Sequence, residues 1–495
     1  MPMDNWKKLC FLPQRELREL QNRKLRDFIS RQLYPFSPYY RKLFDQHKIK
    51  PQYIKSVEDL KLIPFTKKED FFPNDDNPNR FRDFILQPDE ASIKKYWQKS
   101  KLFYLALLKI LKGKEEAREQ ISKQYRPIFL TATTGTTNQP VSFLYTKLDI
   151  DNLYISGYRL LDVFGVQKDS RAVNIFPYAP HLAFWQTVFA AFSHNVFMLS
   201  TGGGKVMGTQ GNIEAILKVK PDVVIGVPAY LYHLVRSARQ MNKDFGFIKK
   251  IILGASAVPP GFKEKLSSML MDMGGADGVS VIGTYGFTEA KCAWGECPTD
   301  IGVSSGYHTY PDKEIFEVVD PDTGEAVGEG GDGELVYTSI DARGSCVLRY
   351  RTGDLVKGGI VYSPCPYCKR TVPRISSGIY RASNIKNLQL SKVKGTLVNL
   401  NNFGVILEAE EGIEEWQVEL RKKDNDPYEV DELLLYLSLS VNTDQENLKK
   451  RLCDKILSLT EITPNEIIIL PYQEMLKQVE MEISHKVKRF VDKRP

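Results

Sequence analysis

DVVIGVPA, residues 222–229, and KKIILGASAV, residues 249–258, are short β-branched runs bounded by glycine and proline. Such runs are typical of strands buried in a parallel sheet. The segment between them, AYLYHLVRSARQM, has the apolar spacing of a helix. Strand-like and helix-like runs alternate in this way from Ile128 to about Pro260. This alternation predicts an α/β fold whose ligands bind at the carboxyl ends of the strands.

The chain on either side of this region has different patterns. QRELRELQNRKLRDFISRQL, residues 14–33, has apolar positions at helical spacing, and a charged helical segment follows at about Ala91–Gln124. We therefore expect the chain up to about Tyr125 to be mostly helical. Glu314–Tyr362 instead alternates apolar and polar residues around the turns DPDTGE and GEGGDG, which predicts a β-rich subdomain of hairpins.

The C-terminal part of the chain has the pattern of a separate α+β unit. Strand-like sequence at residues 416–441 is followed by a helical segment at residues 447–460. We predict a large N-terminal domain, residues 1–382, and a small mobile α+β domain, residues 383–495.

Length and composition limit the class of protein. A chain of 495 residues exceeds the size at which one hydrophobic core stops growing, so two or more domains are expected. The apolar content of 42% and the charged content of 26% are ordinary for a soluble globular protein. A net charge of +7 and a pI of 8.7 are too mild for a dedicated nucleic-acid-binding protein. This charge would suit a nucleotide ligand, although solvated surface lysines explain it equally well.

Targeting signals and cysteines predict a cytoplasmic protein. The N-terminal sequence has no pattern of a signal peptide, and no apolar run is long enough to span a bilayer. The nearest candidate, Leu102–Leu111, is expected to be a buried or partner-facing amphipathic helix, and we predict no stable membrane insertion. Seven cysteines in such a chain indicate free thiols or a metal site rather than disulfides.

A loop rich in hydroxyl groups, TATTGTTNQP at Thr131–Pro140, follows the apolar run Ile128–Leu130. A flexible loop of this kind, leaving a buried strand, offers backbone N–H and side-chain O–H donors to anionic oxygens. It is not a G-x-x-x-x-G-K-[ST] phosphate-binding loop, because no lysine follows its glycine. An ordinary Ser/Thr-rich turn is the alternative.

Four short motifs follow one another in a defined order. They are TATTGTTNQP at Thr131, GTYGFTEA at Gly283, YRTGD at Tyr350 and HKVKR at His485. In this order and at these separations they resemble the AMP-forming adenylating enzymes, the acyl-CoA synthetases and their relatives. Within that superfamily the chain is most similar to the phenylacetate–CoA ligase-like family, from about Tyr39 to the C-terminus.

The resemblance implies a two-step reaction. A carboxylic acid attacks the α-phosphorus of ATP and releases pyrophosphate, and a thiol, usually that of coenzyme A, then attacks the acyl-adenylate and releases AMP. The first step brings two anions together, so catalysis depends on positioning and charge stabilisation. Rotation of the small domain lets one site serve both steps. The alternatives are transfer to a carrier-protein thiol or an amine, and a degenerate nucleotide-binding scaffold.

Three residues are implied to act on the reacting groups. Glu289 offers a hard oxygen ligand suited to Mg²⁺, and the Thr288 hydroxyl would contact the α-phosphate. Lys486, on the C-terminal domain, would bridge the carboxylate and the α-phosphate. The alternatives are that Glu289 is only a helix N-terminal acid and that Lys486 is a solvated lysine near the terminus.

The nucleotide would be held by side chains and by the threonine loop. That loop would hold the β- and γ-phosphates, Tyr285 would lie beside the adenine, and Asp354 would accept both ribose hydroxyls unless it is only a turn residue. By resemblance, Arg381 assists at the ribose or the phosphate. The expected nucleotide-binding residues are Thr133, Thr134, Gly135, Thr136, Thr137, Ala255, Ser256, Tyr285, Gly286, Asp354 and Arg381.

The chain departs from the family pattern at three places. Asn138 and Gln139 stand where the family usually has Gly-Lys, which removes one positive charge from the contact with the triphosphate. At the hinge that RTVPRISSGIYRASN resembles, Ser383 and Asn384 replace the usual acid. His485 replaces the glycine that usually precedes the lysine.

A zinc site is predicted from Cys365-Pro-Tyr-Cys368 together with Cys297 and His308. Three thiolates and one imidazole form a closed tetrahedral structural site. Such a site would join the loop after YGFTEA to the loop after TGD. Cys292 is an alternative to Cys297, and unrelated thiols are the alternative to a metal site.

The acid substrate is expected beside the aromatic segment that contains Tyr178, His181, Phe184 and Trp185. Gly254–Ala257 would form a wall near the adenine. Aromatic walls favour an aryl or long apolar acid, although aromatic residues at helical spacing often belong to the core. We therefore expect Tyr178, His181, Trp185 and Gly254 to contact the substrate. The expected partners are the acid, ATP and coenzyme A, with a homodimer also possible.

Overall fold

The computed structural model describes most of the chain. The described residues are 5–75, 77–133, 140–256, 258, 260–275, 278–381, 390–393, 396–399, 401–408, 410, 412–441, 443–479 and 488–494. Helices and sheets alternate through them, so the predicted α/β class is confirmed.

The N-terminal part is helical, as predicted. Leu17, Leu25 and Phe28 lie on one face of the second helix and are buried, because their spacing follows the helical period. This helix continues through a π-helical turn at Ile29–Leu33. The helices are α1 (Trp6–Leu9), α2 (Gln14–Phe28), α3 (Tyr34–Phe36), α4 (Pro38–Gln46), α5 (Glu90–Tyr96), α6 (Lys99–Lys112) and α7 (Lys114–Tyr125).

Strands and helices then alternate. They are β1 (Phe129–Ala132), β2 (Ser142–Tyr145), α8 (Lys147–Phe164), β3 (Arg171–Asn174), α9 (Leu182–His194), β4 (Phe197–Ser200), α10 (Gly204–Val219), β5 (Val223–Gly226), α11 (Pro228–Gln240), β6 (Lys250–Leu253), α12 (Pro260–Met271) and β7 (Ser280–Phe287). The antiparallel strands that follow are β8 (Cys292–Gly295), β9 (Tyr307–His308), β10 (Glu314–Val319), β11 (Gly333–Ser339), β12 (Tyr350–Lys357), β13 (Ile360–Val361), β14 (Arg374–Ile375) and β15 (Gly378–Arg381).

A nine-stranded mixed sheet forms the centre of the molecule. Its strand order is β13-β14-β9-β8-β7-β6-β5-β3-β4, and β4, β3, β5, β6 and β7 run parallel. The predicted strands in DVVIGVPA and KKIILGASAV pair directly, with Val223 opposite Lys250. The predicted hairpins form a separate antiparallel sheet, β10-β11-β12-β15.

One expectation about the threonine loop is wrong. The strand before the loop was expected to be buried, but β1 pairs with β2 in a two-stranded hairpin at the surface. Ile128 is 54% exposed and Leu130 is 40% exposed. Because a two-stranded ribbon has only a few side chains per face, the buried Thr131, Phe143 and Tyr145 anchor the hairpin while the others stay partly in water.

The C-terminal part has its own sheet and its own hydrophobic cluster. The sheet has the order β20-β19-β18-β21, and leucines from both central strands pack against Leu448, Leu452 and Ile456 of a helix. The elements are β16 (Leu390–Val393), β17 (Thr396–Asn399), α13 (Asn401–Glu408), β18 (Ile413–Lys422), β19 (Asp431–Leu439), α14 (Gln445–Thr460), β20 (Glu466–Ile469), α15 (Tyr472–Gln478) and β21 (Phe490–Asp492). Among the described residues, no helix combines the length and the apolar character needed to cross a membrane.

Candidate active site and metal centre

The loop after β6 lies close to the start of β7. A Cβ atom added to Gly254 would lie 2.4 Å from Oγ1 of Thr284 and 3.2 Å from the ring of Phe176, so only glycine fits there. Ala255 follows with a φ of 69°, a left-handed conformation that alanine rarely adopts. Such strain often marks ligand-contacting segments. Ala255 is exposed and Ser256 is half-buried, so the two residues form an accessible wall beside the strand ends.

Two of the four motifs are joined by a reciprocal pair of hydrogen bonds. The hydroxyl of Tyr285, in GTYGFTEA, donates to the carboxylate of Asp354, in YRTGD, at 2.8 Å. The hydroxyl of Tyr350, in YRTGD, donates to the carboxylate of Glu289, in GTYGFTEA, at 2.7 Å. In each motif, therefore, a tyrosine hydroxyl donates a hydrogen bond to the acidic side chain of the other motif. The predicted adenine, ribose and magnesium ligands lie in one connected group.

The surroundings of Asp354 exclude the turn alternative. Asp354 is buried within β12, directly after Gly353, whose φ is 72°. In the pairing of β12 with β15, Asp354 lies opposite Arg381. The ring of Tyr285 stacks on Trp294, with 5.8 Å between centroids and 30° between planes. The tyrosine that directs the Asp354 carboxylate is thus itself held by aromatic packing.

Glu289 lies in a short 3-10 helix, Thr288–Ala290, directly after β7. Its carboxylate is buried, and a buried carboxylate needs hydrogen-bond donors or a cation. Tyr350 supplies one donor. Gly286, within β7, allows close approach of β8, because a Cβ there would lie 2.9 Å from Cβ of Ala293.

The sequence reasoning missed a buried ion pair beside this helix. Lys291 follows the motif directly, and its Nζ lies 2.5 Å from Oδ1 of Asp149. Burial alone would raise the pKa of Asp149, but the charge of Lys291 and hydrogen bonds from Lys291, Thr146 and Gly344 hold that pKa below its ordinary value. In the sequence, the lysine directly after TEA is the only indication of this ion pair, and it does not identify Asp149 as the partner.

This ion pair connects the motif to the threonine hairpin. Lys291 Nζ lies 5.5 Å from the ring centre of Tyr145, and the Tyr145 hydroxyl is hydrogen-bonded to Thr131 at 3.0 Å. Thr133 Oγ1 accepts from the backbone N–H of Val141 at 3.0 Å. Thr133 therefore closes the hairpin, and its hydroxyl also has a hydrogen to donate.

Several predicted residues lie outside the described part of the chain. They are Thr134, Gly135, Thr136, Thr137, Asn138, Gln139, Ala257, Ser383, Asn384, His485 and Lys486. The side chain of Arg381 is also outside it, although its backbone position is set by the pairing with Asp354. The roles assigned to these residues stay predictions.

The aromatic segment divides into core and surface. Phe184 is buried in the core, whereas Tyr178 is 66% exposed and Trp185 is half-buried. The Tyr178 ring contacts both Phe184, at 5.2 Å, and Trp185, at 6.0 Å. His181 Nδ1 lies 3.1 Å from the carbonyl oxygen of Ala132, so this segment contacts the base of the threonine hairpin. Tyr178, His181 and Trp185 thus lie beside that hairpin.

The predicted metal ligands come together. Cys297, His308, Cys365 and Cys368 each direct one ligand atom to a common point, and these atoms lie within 4.8 Å of one another. Cys297 Sγ is 3.7 Å from Cys365 Sγ, and Cys368 Sγ is 3.2 Å from His308 Nε2. Cys292 is not in this group, so the geometry favours Cys297. Three thiols and one imidazole fit a structural zinc ion.

The surroundings of the cluster orient its ligands. His308 Nδ1 lies 3.2 Å from the carbonyl oxygen of Gly295, so an Nδ1–H donor leaves Nε2 free to bind a metal. Arg370 lies beside Cys368 and also donates to Asp162 at 2.6 Å. A guanidinium next to three thiolates compensates part of their negative charge.

The chain belongs to the AMP-binding enzyme family, whose pattern matches residues 66–345. It is 26% identical over 416 residues to a phenylacetate-coenzyme A ligase of Thermus thermophilus, which covers 83% of this chain and 80% of the relative. It is also 26% identical over 346 residues to a phenylacetate-coenzyme A ligase of Aromatoleum evansii, covering 70% of this chain and 67% of the relative. The predicted similarity to phenylacetate–CoA ligases is confirmed.

Solved structures of 2-hydroxyisobutyryl-CoA ligase share the fold. The structure of that enzyme with 2-HIB-AMP and CoA in the thioesterification state has a TM-score of 0.73 at 17% identity, covering 98% of this chain and 91% of that one. An open conformation of the same enzyme, with the same ligands, has a TM-score of 0.58 at 17% identity, covering 98% and 94%.

Proposed function

We propose that this chain activates a carboxylic acid with ATP and transfers the acyl group to coenzyme A. In the first step the acid carboxylate attacks the α-phosphorus, an acyl-adenylate forms and pyrophosphate leaves. In the second step the thiol of coenzyme A attacks the acyl carbonyl and AMP leaves. The observation that carries this proposal is the reciprocal bonding of Tyr285 to Asp354 and of Tyr350 to Glu289.

The residues of this connected group have complementary roles in adenylation. Asp354 accepts hydrogen bonds from the ribose, and Tyr285 fixes the orientation of its carboxylate. Thr288 donates to the α-phosphate. Glu289 is the residue that would hold Mg²⁺, which supplies positive charge to the phosphate oxygens when it is bound. The buried position of Glu289, whose carboxylate accepts from the Tyr350 hydroxyl, fits a cation ligand.

The threonine hairpin and the C-terminal part would complete the site. The bond between Thr133 and Val141 holds the two ends of the predicted phosphate loop together. Lys486 would stabilise the charge that develops between the carboxylate and the α-phosphate. We propose that residues 383–495 form a mobile domain that brings Lys486 to the site for the first step and moves for the second.

Coenzyme A as acceptor is supported by the similarity to phenylacetate-coenzyme A ligases and by the fold shared with 2-hydroxyisobutyryl-CoA ligase. Transfer to a carrier-protein thiol or to an amine would start from the same acyl-adenylate. The identity of the acceptor is therefore proposed separately from the formation of the adenylate. For the acid we propose an aryl or apolar compound. Tyr178, His181 and Trp185 lie beside the hairpin, and Gly254 directly follows the end of β6 next to Phe176.

We further propose that the cysteine–histidine cluster holds a structural zinc ion. The ligand set is complete with four protein atoms, so the metal would have no open position for catalysis. It would join the loop between β8 and β9 to the loop between β13 and β14. A cytoplasmic location is also proposed, since none of the seven cysteines, all of which are among the described residues, forms a disulfide.

Mass spectrometry of the reaction products tests the proposed function. The purified protein is incubated with ATP, Mg²⁺ and a mixture of acetate, benzoate, phenylacetate and long-chain acids, with and without coenzyme A. We expect an acyl-AMP without coenzyme A and an acyl-CoA with it. Lys486→Ala should abolish acyl-AMP formation and leave ATP binding intact.

Three other outcomes would each remove one part of the proposal. If the protein bound ATP but formed no acyl-AMP from any acid, the enzymatic proposal would be wrong and the alternative of a nucleotide-binding scaffold without activity would remain. Acyl-AMP that is not transferred to coenzyme A would exclude that acceptor. Activity with acetate alone would exclude the aromatic pocket.

A further inference from the structure

Helix α6 has apolar side chains on two opposite faces. Leu108 is buried, and Leu102 and Leu105 pack against the N-terminal core. A second apolar set, which we call the outer face, points to solvent and is between 43% and 80% exposed. The outer face consists of Phe103, Tyr104, Leu107, Ile110 and Leu111. A surface helix normally has polar residues on the side away from the core, so this face is not explained by the fold of the chain.

The sequence around the outer face is strongly basic. Between Ile93 and Lys114 the chain contains no aspartate or glutamate. It contains an exposed set of lysines instead, namely Lys94, Lys95, Lys99, Lys101, Lys109, Lys112 and Lys114. Acidic residues return only with Glu115 and Glu116, at the start of α7. Four of these lysines, Lys99, Lys101, Lys109 and Lys112, lie on α6, and the other three lie within five residues of its ends.

We propose that α6 binds the surface of an anionic membrane, lying parallel to it with the outer face at the boundary between headgroups and acyl chains. A basic helix with an exposed aromatic and aliphatic face has the chemistry of such interfacial helices. Lysine stems can extend along apolar surface while their ammonium groups reach lipid phosphates. A helix of 14 residues is about 21 Å long, shorter than the bilayer core of about 30 Å, so it binds without crossing.

A second copy of the chain is a less suitable occupant. In a symmetric dimer the same patch faces itself, so two clusters of seven lysines without acids would meet. Like charges at a contact oppose association. Anionic headgroups instead neutralise these lysines, and lipid needs no shape complementarity with a protruding ridge of side chains.

Sedimentation of the full-length protein with lipid vesicles tests this inference. Vesicles of phosphatidylcholine are compared with vesicles that also contain phosphatidylglycerol, at low and high salt. We expect binding to the anionic vesicles, weakened by salt, and little binding to the neutral ones. The triple variant Phe103→Ser, Leu107→Ser, Ile110→Ser should lose binding. Replacing lysines of α6 by glutamine should lower the partition coefficient about fivefold per lysine.

Matched controls separate this surface from the enzyme site. The variant Val441→Ser, Leu459→Ser removes exposed apolar side chains elsewhere and should bind like the unaltered protein. All these variants should form acyl-AMP at unchanged rates in the absence of lipid, so failure of the proposed function would not affect the vesicle result. Equal binding by the triple variant, or no preference for anionic vesicles, would overturn the inference. A dimer of the unaltered protein that the triple variant converts to a monomer would assign the face to self-association instead.

Discussion

Arg236 on α11 donates to the carboxylate of Glu429, in the loop between β18 and β19, at 2.8 Å. The Glu429 side chain is only 1% exposed, and His233 Nδ1 lies 3.1 Å from its other oxygen. Nearby, Asp426 accepts from the Tyr232 hydroxyl at 3.0 Å. We call these five residues the C-terminal contact. They connect the C-terminal sheet to a helix in the part of the chain that matches the AMP-binding family.

In the proposed mechanism residues 383–495 move for the second step, and we propose that the C-terminal contact holds them in that second position. Glu429→Ala removes a charge-assisted hydrogen bond worth about 1.5–3 kcal/mol. We expect acyl transfer to coenzyme A to slow by about tenfold while acyl-AMP formation is unchanged. Single-turnover measurements of pyrophosphate release and of acyl-CoA formation separate the two steps.

Glu432→Ala is the matched control for this variant, since Glu432 pairs with Arg421 inside the C-terminal sheet. It should leave both steps unchanged. Equal slowing of both steps by Glu429→Ala would indicate a general structural role rather than a bias toward one arrangement.

The reciprocal hydrogen bonds make a second prediction. Tyr285→Phe leaves Asp354 without one of its donors, so its carboxylate is less well oriented toward the ribose. A net loss of about 1 kcal/mol corresponds to about a fivefold increase in the KM for ATP. Asp354→Asn should raise this KM further, because it removes the charged acceptor. ATP–pyrophosphate exchange measures both changes.

Tyr436→Phe, at a half-buried tyrosine of the C-terminal sheet, is the control and should not change the KM for ATP. If Asp354→Asn left that KM unaltered, the ribose-binding role of Asp354 would be excluded.

The sequence predicted those parts of the molecule whose signals are local. β5 and β6 follow from β-branched runs. All four residues of the metal cluster were predicted, from the Cys365–Cys368 spacing and the upstream pair Cys297 and His308. Contacts between distant segments that carry no recognisable motif were not predictable. Lys291 and Asp149 are 142 positions apart, and nothing in either local sequence identifies the other.

Two further results, one that agrees with the prediction and one that does not, have specific physical reasons. Cys292 and Cys297 are equivalent as sequence, and only the folding of β8 buries Cys292 elsewhere while Cys297 reaches the other ligands. Leu130 belongs to an apolar run, but it lies in a two-stranded hairpin that cannot cover both of its faces. The burial of a strand thus depends on the elements that pack against it, and the sequence of the strand itself does not specify those elements.

The cysteine cluster predicts one zinc ion per chain. Cys365→Ser should lose the metal and lower the Tm, because the loops joined by the ion then lack their common ligand. Metal content by inductively coupled plasma mass spectrometry and thermal unfolding measure these effects. Cys453→Ser, at a half-buried cysteine outside the cluster, should retain both the metal and the Tm. A purified protein without zinc, whose Tm is unaffected by a chelator, would contradict this prediction.

Glu314 predicts how stability changes with pH. Burial raises the pKa of Glu314 from 4.5 to about 8, although hydrogen bonds from the Tyr310 N–H and the Trp294 indole oppose this change. Between these two pKa values the folded chain retains a proton that the unfolded chain has lost. The free energy of unfolding therefore decreases as pH rises from about 4.5 to about 8.

Glu314→Gln should remove this contribution, because an amide keeps an acceptor for the two donors and does not ionise. Its Tm should depend less on pH across that window than the Tm of the unaltered protein. Glu16→Gln, at an exposed carboxylate, should leave the pH dependence unchanged. If Glu314→Gln had the same pH dependence as the unaltered protein, Glu314 would be ionised in the folded chain. The lack of a hydrogen-bond partner for its Oε2 among the described residues would then need another explanation.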